Sequence, residues 1–245
     1  MRTVSRVTER VRRFDDYLNR VLEELAREAG ENVETYVARA VATQMVNDMR
    51  RANDPAVDDL QAHLSDSGVL EKTAMPDVSS VITDPDRLTA LRHTGLLDSP
   101  TEEIYDRITR AAADALDAPF ALLTLVDVDR QFFKSAVGHD TSSPGSRQTP
   151  LERSVCQYAV ADGAPLVLED ARLDPTFSQH PAVQDGTVVA YLGIPLMDRA
   201  GNAIGTLCVY DTQPRLWGTG HLQVLSDLAA LAGERIFSIR TSEQL

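Results

Sequence analysis

Cys156 and Cys208 are the two thiols of this chain, and His139 and His180 stand in polar loops beside glycine or proline. A cysteine acts as a nucleophile or redox group only as its thiolate, so a redox role for Cys156 requires a lowered thiol pKa. Neither cysteine has a CxxC or Cys/His spacing, which argues against a zinc site or any other metal centre. Both read as small buried thiols. The two histidines offer imidazole for haem ligation, but loop histidines of this kind read first as solvent-exposed polar residues. Paired carboxylates, Glu102-Glu103 and Glu169-Asp170, fall at helix starts or strand ends, where capping and the helix dipole account for them. Asp170 and Asp174 are suited to capping backbone amides within a loop. The chain holds no P-loop, Rossmann glycine run, GxSxG elbow or HExxH. On these grounds it is expected to be non-enzymatic, and its cofactor, if it has one, stays unknown.

The elements that must position these residues follow from periodicity. Residues 191–211, YLGIPLMDRAGNAIGTLCVYD, read as two half-buried strands joined by Asp198-Arg199-Ala200-Gly201-Asn202, which carries turn chemistry. Phe120 to Val126 is a near-continuous apolar run, a strand buried on both faces, and Asp127 to Arg130 turns it back into Gln131 to Ala136. Helices are expected after Asp84-Pro85, after Ser99-Pro100-Thr101-Glu102, after Thr149-Pro150-Leu151-Glu152 and from Thr219 to Ile239. The second and third of these starts have capping-box spacing. A strand at Pro165 to Glu169 leads into a long irregular segment ending at Thr187. The order of hairpins and helices indicates an α+β layer fold.

Ahead of this lies a helical region. Val4, Val7, Val11, Phe14, Leu18, Val21 and Leu25 alternate at spacings of three and four, an a/d seam of coiled-coil type. Gly30 ends that helix, and a second carries Val33, Tyr36, Val37, Ala40, Val41, Gln44 and Met45 on one face. A third is expected from Asp54-Pro55, with Val57, Leu60 and Leu64 inward. Such a hairpin cannot bury both stripes alone, so it is expected to pair with a copy of itself or with the following domain. Residues 1–69 are therefore assigned to an all-helical module, 70–83 to a linker and 84–240 to the α+β domain.

Composition sets outer limits. The chain has 245 residues, 43% hydrophobic and 25% charged, as in ordinary globular proteins. No apolar run approaches the roughly 20 residues that span a bilayer, and the arginine-rich start lacks the apolar core of a signal peptide. A cytoplasmic protein without membrane contact is the expectation. A net charge of −13 disfavours broad nucleic-acid binding, although residues 1–13 place five arginines against one glutamate.

Several segments carry a family resemblance. These are RLTALRHTGLLDSPTEEIYDRI (87–108), LVDVDRQFFKSAVG (125–138), Cys156 early in its helix, Asp170-Ala171 with Asp174-Pro175 and Phe177, and the closing hairpin with Gly193, Pro195, Gly205, Cys208 and Asp211. Together, over roughly 84–240, they resemble the GAF domain, a small-molecule sensor module of signalling proteins. The resemblance implies an antiparallel sheet flanked by helices, with the helix at 150–161 and the loop at 170–187 closing a pocket. It implies ligand contacts at Cys156, Asp170, Phe177, His180 and Tyr191. Bilin-binding members carry histidine after the attachment cysteine, where this chain has Gln157. The Asn-Lys…Phe…Asp-Glu signature of cyclic-nucleotide-binding members is absent, and free methionine-sulfoxide reductases use a different cysteine set. Residues 12–45 weakly resemble the helices of ribbon-helix-helix repressors, which would make Thr8, Arg10 and Arg12 DNA-facing. The reading is thus a dimeric small-molecule- or redox-sensing regulatory protein with a protein partner; the alternative is a ligand-regulated DNA-binding regulator.

Overall fold

A computed structural model of the chain describes residues 14–29, 31–52, 54–69, 74–141, 143 and 145–238. It divides into two compact units, 1–71 and 72–245. The first unit contains α1 (Asp16–Glu28), α2 (Val33–Arg51) and α3 (Val57–Asp66). Val4, Val7 and Val11 of the expected seam, and the DNA-facing Thr8, Arg10 and Arg12, lie outside the described residues. An unbroken helix through the seam is nevertheless not formed. Asp15 is extended, its carboxylate accepts the Leu18 N–H at 2.8 Å, and the Asn19 amide donates to the Phe14 and Asp15 carbonyls, so the helix begins at Asp16. The buried face is also displaced by a residue from the expected one. Leu22 and Ala26 of α1 and Ala42 and Val46 of α2 are inside, while Phe14, Leu18, Leu25, Val41 and Met45 are exposed. Two of these four buried residues are alanines, and the bulkier seam residues stay outside.

In the second unit α4 (Ser79–Ile82) forms within the stretch expected as a linker, and Ile82 is buried there. Next come α5 (Pro85–His93), capped by Asp84 as its sequence indicates, and α6 (Glu103–Ala115). Six antiparallel strands follow: β1 (Phe120–Val126), β2 (Arg130–Val137), β3 (Gln148–Pro150), β4 (Leu166–Leu168), β5 (Ala190–Met197) and β6 (Ala203–Asp211). Their order across the sheet is β3-β2-β1-β6-β5-β4. Between β3 and β5 stand α7 (Cys156–Asp162) and α8 (Pro181–Gln184), and α9 (Thr219–Ser238) is the last element among the described residues. This is the expected α+β fold, an antiparallel sheet flanked by helices. Alternation on β1 and β6 sends Leu123, Leu125, Leu207 and Val209 into a core with α5, α6 and α9, and Leu122, Val126 and Cys208 into a second core with α7 and α8. No helix among the described residues is long and apolar enough to cross a membrane.

Both expected capping boxes fail, for reasons that matter to the layers. At Ser99–Glu102 the helix starts three residues later than a Ser99 cap requires, because a buried ammonium claims the polar groups. Lys134 is 0% exposed, and its Nζ donates to Ser99 Oγ, the Pro100 carbonyl and Glu102 Oε1, each at 2.6 Å. It gets there by a β-bulge: Leu123 pairs with Ser135 and Thr124 with Phe133, leaving Lys134 as the extra residue turned towards α6. A second buried cation, Arg87 of α5, donates to the carbonyls of Ile82 and Val126, tying α4 and the end of β1 to α5.

At Gly205 the central strands come closest. A Cβ added there would lie 1.9 Å from the Thr124 carbonyl oxygen, so any side chain has to force β1 and β6 apart. Gly205→Ala is expected to cost about 2–4 kcal/mol of stability. Urea unfolding followed by circular dichroism measures it, and an unchanged midpoint would contradict the close approach.

Candidate functional site

The sheet face that meets α7 is set by strand register. Leu122 pairs with Cys208 and Thr124 with Thr206 across β1 and β6, while Gly193 pairs with Cys208 and Tyr191 with Tyr210 across β5 and β6. These residues therefore share one face. Above it the chain does not form the helix expected from Thr149 to Ala161. Gln148–Pro150 instead pairs with β2, Leu151–Arg153 makes a 3₁₀ turn, and α7 starts only at Cys156. Gln157 holds this junction, its amide donating to the Leu151 carbonyl at 2.8 Å and the Ser154 carbonyl at 3.1 Å. Delaying the helix places Cys156 in its first turn, directly over the centre of the sheet.

There the two thiols meet. Cys156 Sγ and Cys208 Sγ are 3.7 Å apart, and the Tyr191 hydroxyl donates to Cys156 Sγ at 3.2 Å. Gly193 makes this possible: a Cβ at that position would fall 2.2 Å from the Tyr191 hydroxyl oxygen, so glycine leaves the phenol room to reach the sulfur. Thr124 and Thr206 join their hydroxyls at 3.0 Å alongside. Burial opposes ionisation of Cys156, but hydrogen bonds from Cys208, Thr206, Tyr191 and Thr124 outweigh it and lower the thiol. Cys208 moves the opposite way, raised by its hydrogen bond to Cys156 and by burial. Cys156 is the more acidic thiol of the pair.

A cavity of about 100 Å³ opens onto these sulfurs. Its lining includes Cys156, Cys208, Tyr191, Tyr210, His139 and Arg153. His139 Nε2 is hydrogen-bonded to the Tyr210 hydroxyl, and its ring stands among Phe120, Phe133 and Tyr210 at 5.4–5.8 Å between centroids. It is not the exposed loop residue expected, and burial lowers its pKa. Arg153 pairs with Asp185 at 2.5 Å beside the cavity, and Thr187 is an exposed part of the wall.

Of the five residues expected to contact a ligand, Cys156 and Tyr191 line the cavity, whereas Asp170, Phe177 and His180 do not. Asp170 accepts from the backbone N–H and guanidinium of Arg172. Phe177 packs edge-on to Tyr158 at 5.2 Å. His180 is wholly buried, and its Nδ1 accepts the Ala182 N–H at 3.2 Å, capping α8. These three build the cover. Cys208, His139, Arg153 and Tyr210 are among the lining residues not expected to contact a ligand. For Cys208 and Tyr210 the available signal was alternation along β6, which places both on the face of Thr206.

Burial pushes His180 down from 6.5 to about 4. Between those values the unfolded chain takes up a proton that the folded chain refuses, so stability is complete above about 6.5 and falls as pH drops towards 4. The expected loss is about 1–3 kcal/mol, read as thermal unfolding from pH 7 to 4.5. His180→Asn keeps an acceptor for the Ala182 N–H and is expected to flatten that dependence, with His139 supplying the remaining slope. An unaltered slope in the variant would contradict the assignment.

With this geometry in place, known proteins provide context. A cyclic di-GMP phosphodiesterase of Pseudomonas aeruginosa is 33% identical over 153 residues, which make up 62% of this chain and 25% of that protein. The chain thus spans about a quarter of that relative's length. The GAF domain of an Acinetobacter phosphoenolpyruvate-protein phosphotransferase superposes with a TM-score of 0.47 at 19% identity, covering 66% of this chain and 100% of that one. The free methionine-R-sulfoxide reductase of Neisseria meningitidis, solved with its substrate, gives 0.44 at 18% identity, covering 68% and 93%. The expectation of a non-enzymatic protein does not stand, because the Pseudomonas relative is named as a phosphodiesterase. The family itself is secure: the GAF domain model matches residues 100–236, more than half of the chain, and this protein belongs to the GAF domain family.

Proposed function

We propose that residues 72–238 form a regulatory, small-molecule-binding module whose ligand has only a few heavy atoms. The observation that carries this reading is the cavity between the sheet and its cover, about 100 Å³ in volume. An apolar cavity of roughly 150 Å³ holds benzene, and sites for drug-sized ligands run to about 300–1,000 Å³. A cyclic dinucleotide does not fit, so the ligand is a smaller molecule. The lining offers such a molecule an apolar wall at Leu122 and Val188 and polar groups at Tyr191, His139 and Arg153. The Pseudomonas relative, named for cyclic di-GMP hydrolysis, supports service to a second-messenger enzyme. A ligand acts by preferring one arrangement of the cover, and the short elements from Asp170 to Val188 are the part that can rearrange. Ligand-observed NMR against a library of molecules of up to about five heavy atoms tests this, with Thr187→Trp as a plug. Hits on the wild type should weaken by about tenfold or more in the plugged variant. No hit at millimolar concentration, or hits indifferent to the plug, would sink the proposal.

For the first unit we propose pairing with a second copy through Phe14, Leu18 and Leu25, which stand exposed on and beside α1. Apolar side chains at this spacing form a stripe that a partner helix can cover. Light scattering coupled to size exclusion should give twice the monomer mass at micromolar concentration, and Leu18→Glu with Leu25→Glu should halve it. A monomeric wild-type protein would refute the pairing.

A further inference from the structure

Cys156 and Cys208 come from different layers, one from α7 and the other from the middle of β6, yet their sulfurs are 3.7 Å apart. A disulfide needs about 2.05 Å, a closure within reach of side-chain rotation and a small shift of α7. Both sulfurs border the cavity, so a small oxidant reaches them without unfolding the domain. The surroundings are not those of thiols buried only for packing. One face of an otherwise apolar core places the Tyr191 hydroxyl on Cys156 Sγ and the linked hydroxyls of Thr124 and Thr206 on the same face as the two thiols. Gly193 is sterically required for the first of these. A donor aimed at a sulfur stabilises its thiolate, the reactive form, and the Tyr191 hydroxyl is aimed at Cys156 Sγ.

We infer that Cys156 and Cys208 are a peroxide-reactive dithiol at the floor of the cavity, with Cys156 attacked first and Cys208 resolving it into an intramolecular disulfide. In the first step the Cys156 thiolate attacks one oxygen of hydrogen peroxide. The S–O bond forms, the O–O bond breaks, and the departing hydroxide takes up the proton lost by the thiol and leaves as water. Cys156 is now a sulfenic acid. In the second step Cys208 sulfur displaces that hydroxyl: the S–S bond forms, the S–O bond breaks, and the hydroxyl leaves as water with the Cys208 proton. The two thiols give up two electrons, and one peroxide becomes two waters. A dithiol reductant reverses the change by thiol–disulfide exchange and is itself oxidised to its disulfide. Tyr191 acts as the positioning residue that fixes and acidifies Cys156. The cavity of the proposed sensory module serves here as an entry route, and the inference does not depend on which ligand that module binds.

Hydrogen peroxide added to the full-length protein tests this, with denaturing alkylation and intact-mass analysis. The expected result is loss of both alkylatable thiols and of two hydrogens in mass, a cross-linked peptide pair containing Cys156 and Cys208, and full recovery with dithiothreitol. In Cys208→Ser, dimedone should trap the sulfenic acid on Cys156. In Cys156→Ser, oxidation of Cys208 should be about tenfold slower or more. Tyr191→Phe should slow the wild-type reaction and shift its pH profile upward, an effect a packing role would not produce. Two thiols that stay alkylatable under peroxide in the folded wild type would overturn the inference. So would disulfides found only between molecules. Fragment binding that persists without any disulfide would leave the sensory reading intact and remove this one alone.

Discussion

Strand β6 is buried from Ala203 to Asp211, and this constraint governs the second unit. A strand with no exposed residue must be paired along both edges and covered on both faces. The edges are filled by β1 and β5. One face is closed by α5, α6 and α9 with aliphatic packing. The other is closed by α4, α7, α8 and the turns between α7 and α8, which leave it incompletely sealed. The cavity is what that incomplete closure leaves, and it lies against the polar residues of the same strand face. Gly205 belongs to this constraint too, because the central pair approaches so closely that one strand gives up its side chain.

Burying the sheet on both faces also requires the polar ends of the layers to be satisfied internally. Two cations do this. Arg87 supplies donors to carbonyls at the end of β1 and at α4, where the strand ladder has run out of partners. Lys134, turned inward by its bulge, binds the start of α6 through three acceptors. Each would be costly as an isolated buried charge, and each is instead surrounded by oxygen atoms at hydrogen-bonding distance. Lys134 fastens the helical layer away from the cavity, and Arg87 links α5 of that layer to α4, whose Ile82 packs in the core on the cavity side. The cover on the cavity side has no comparable buried cation among the described residues; the Arg153–Asp185 pair that borders it is partly exposed. A ligand or a new bond in the cavity would act on elements that lack a buried cation of this kind among the described residues.

The parts of this arrangement that sequence reveals are those set by near neighbours. The β5–β6 hairpin was legible because its apolar strands flank a turn with Gly201, and β1 because its apolar run admits no exposed face. Asp84 caps α5 through its own adjacent amides, again a local event. The capping spacing at Ser99–Glu102 misled because Lys134, more than thirty residues away, competes for the same oxygens. At Thr149–Glu152 a strand pairing with β2 outweighed the local helix signal. The helical faces of α1 and α2 were misplaced by a residue because the choice between a leucine and an alanine seam depends on the partner helix, not on either sequence alone. His180, expected in the site, proved to be a cap for its cover, and no periodicity distinguishes the two roles.

The pairing of Cys156 with Cys208 lies at the far end of that scale, and its origin explains why it was invisible. The two residues are 52 positions apart, and their site with Tyr191 forms only if three independent conditions hold. The register of β6 must send Cys208 to the cavity face, α7 must start at Cys156 rather than at Leu151, and Gly193 must leave space for the Tyr191 phenol to join them. Each condition has a separate physical cause: ladder geometry, the β3 pairing that delays the helix, and the absence of a Cβ. A sulfur–sulfur bond formed there would tie α7 of the cover to β6, which is buried along its whole length. Oxidation at Cys156 and ligand occupancy of the cavity, as proposed, would therefore act on the same element, and the proposed disulfide would alter what the cavity binds.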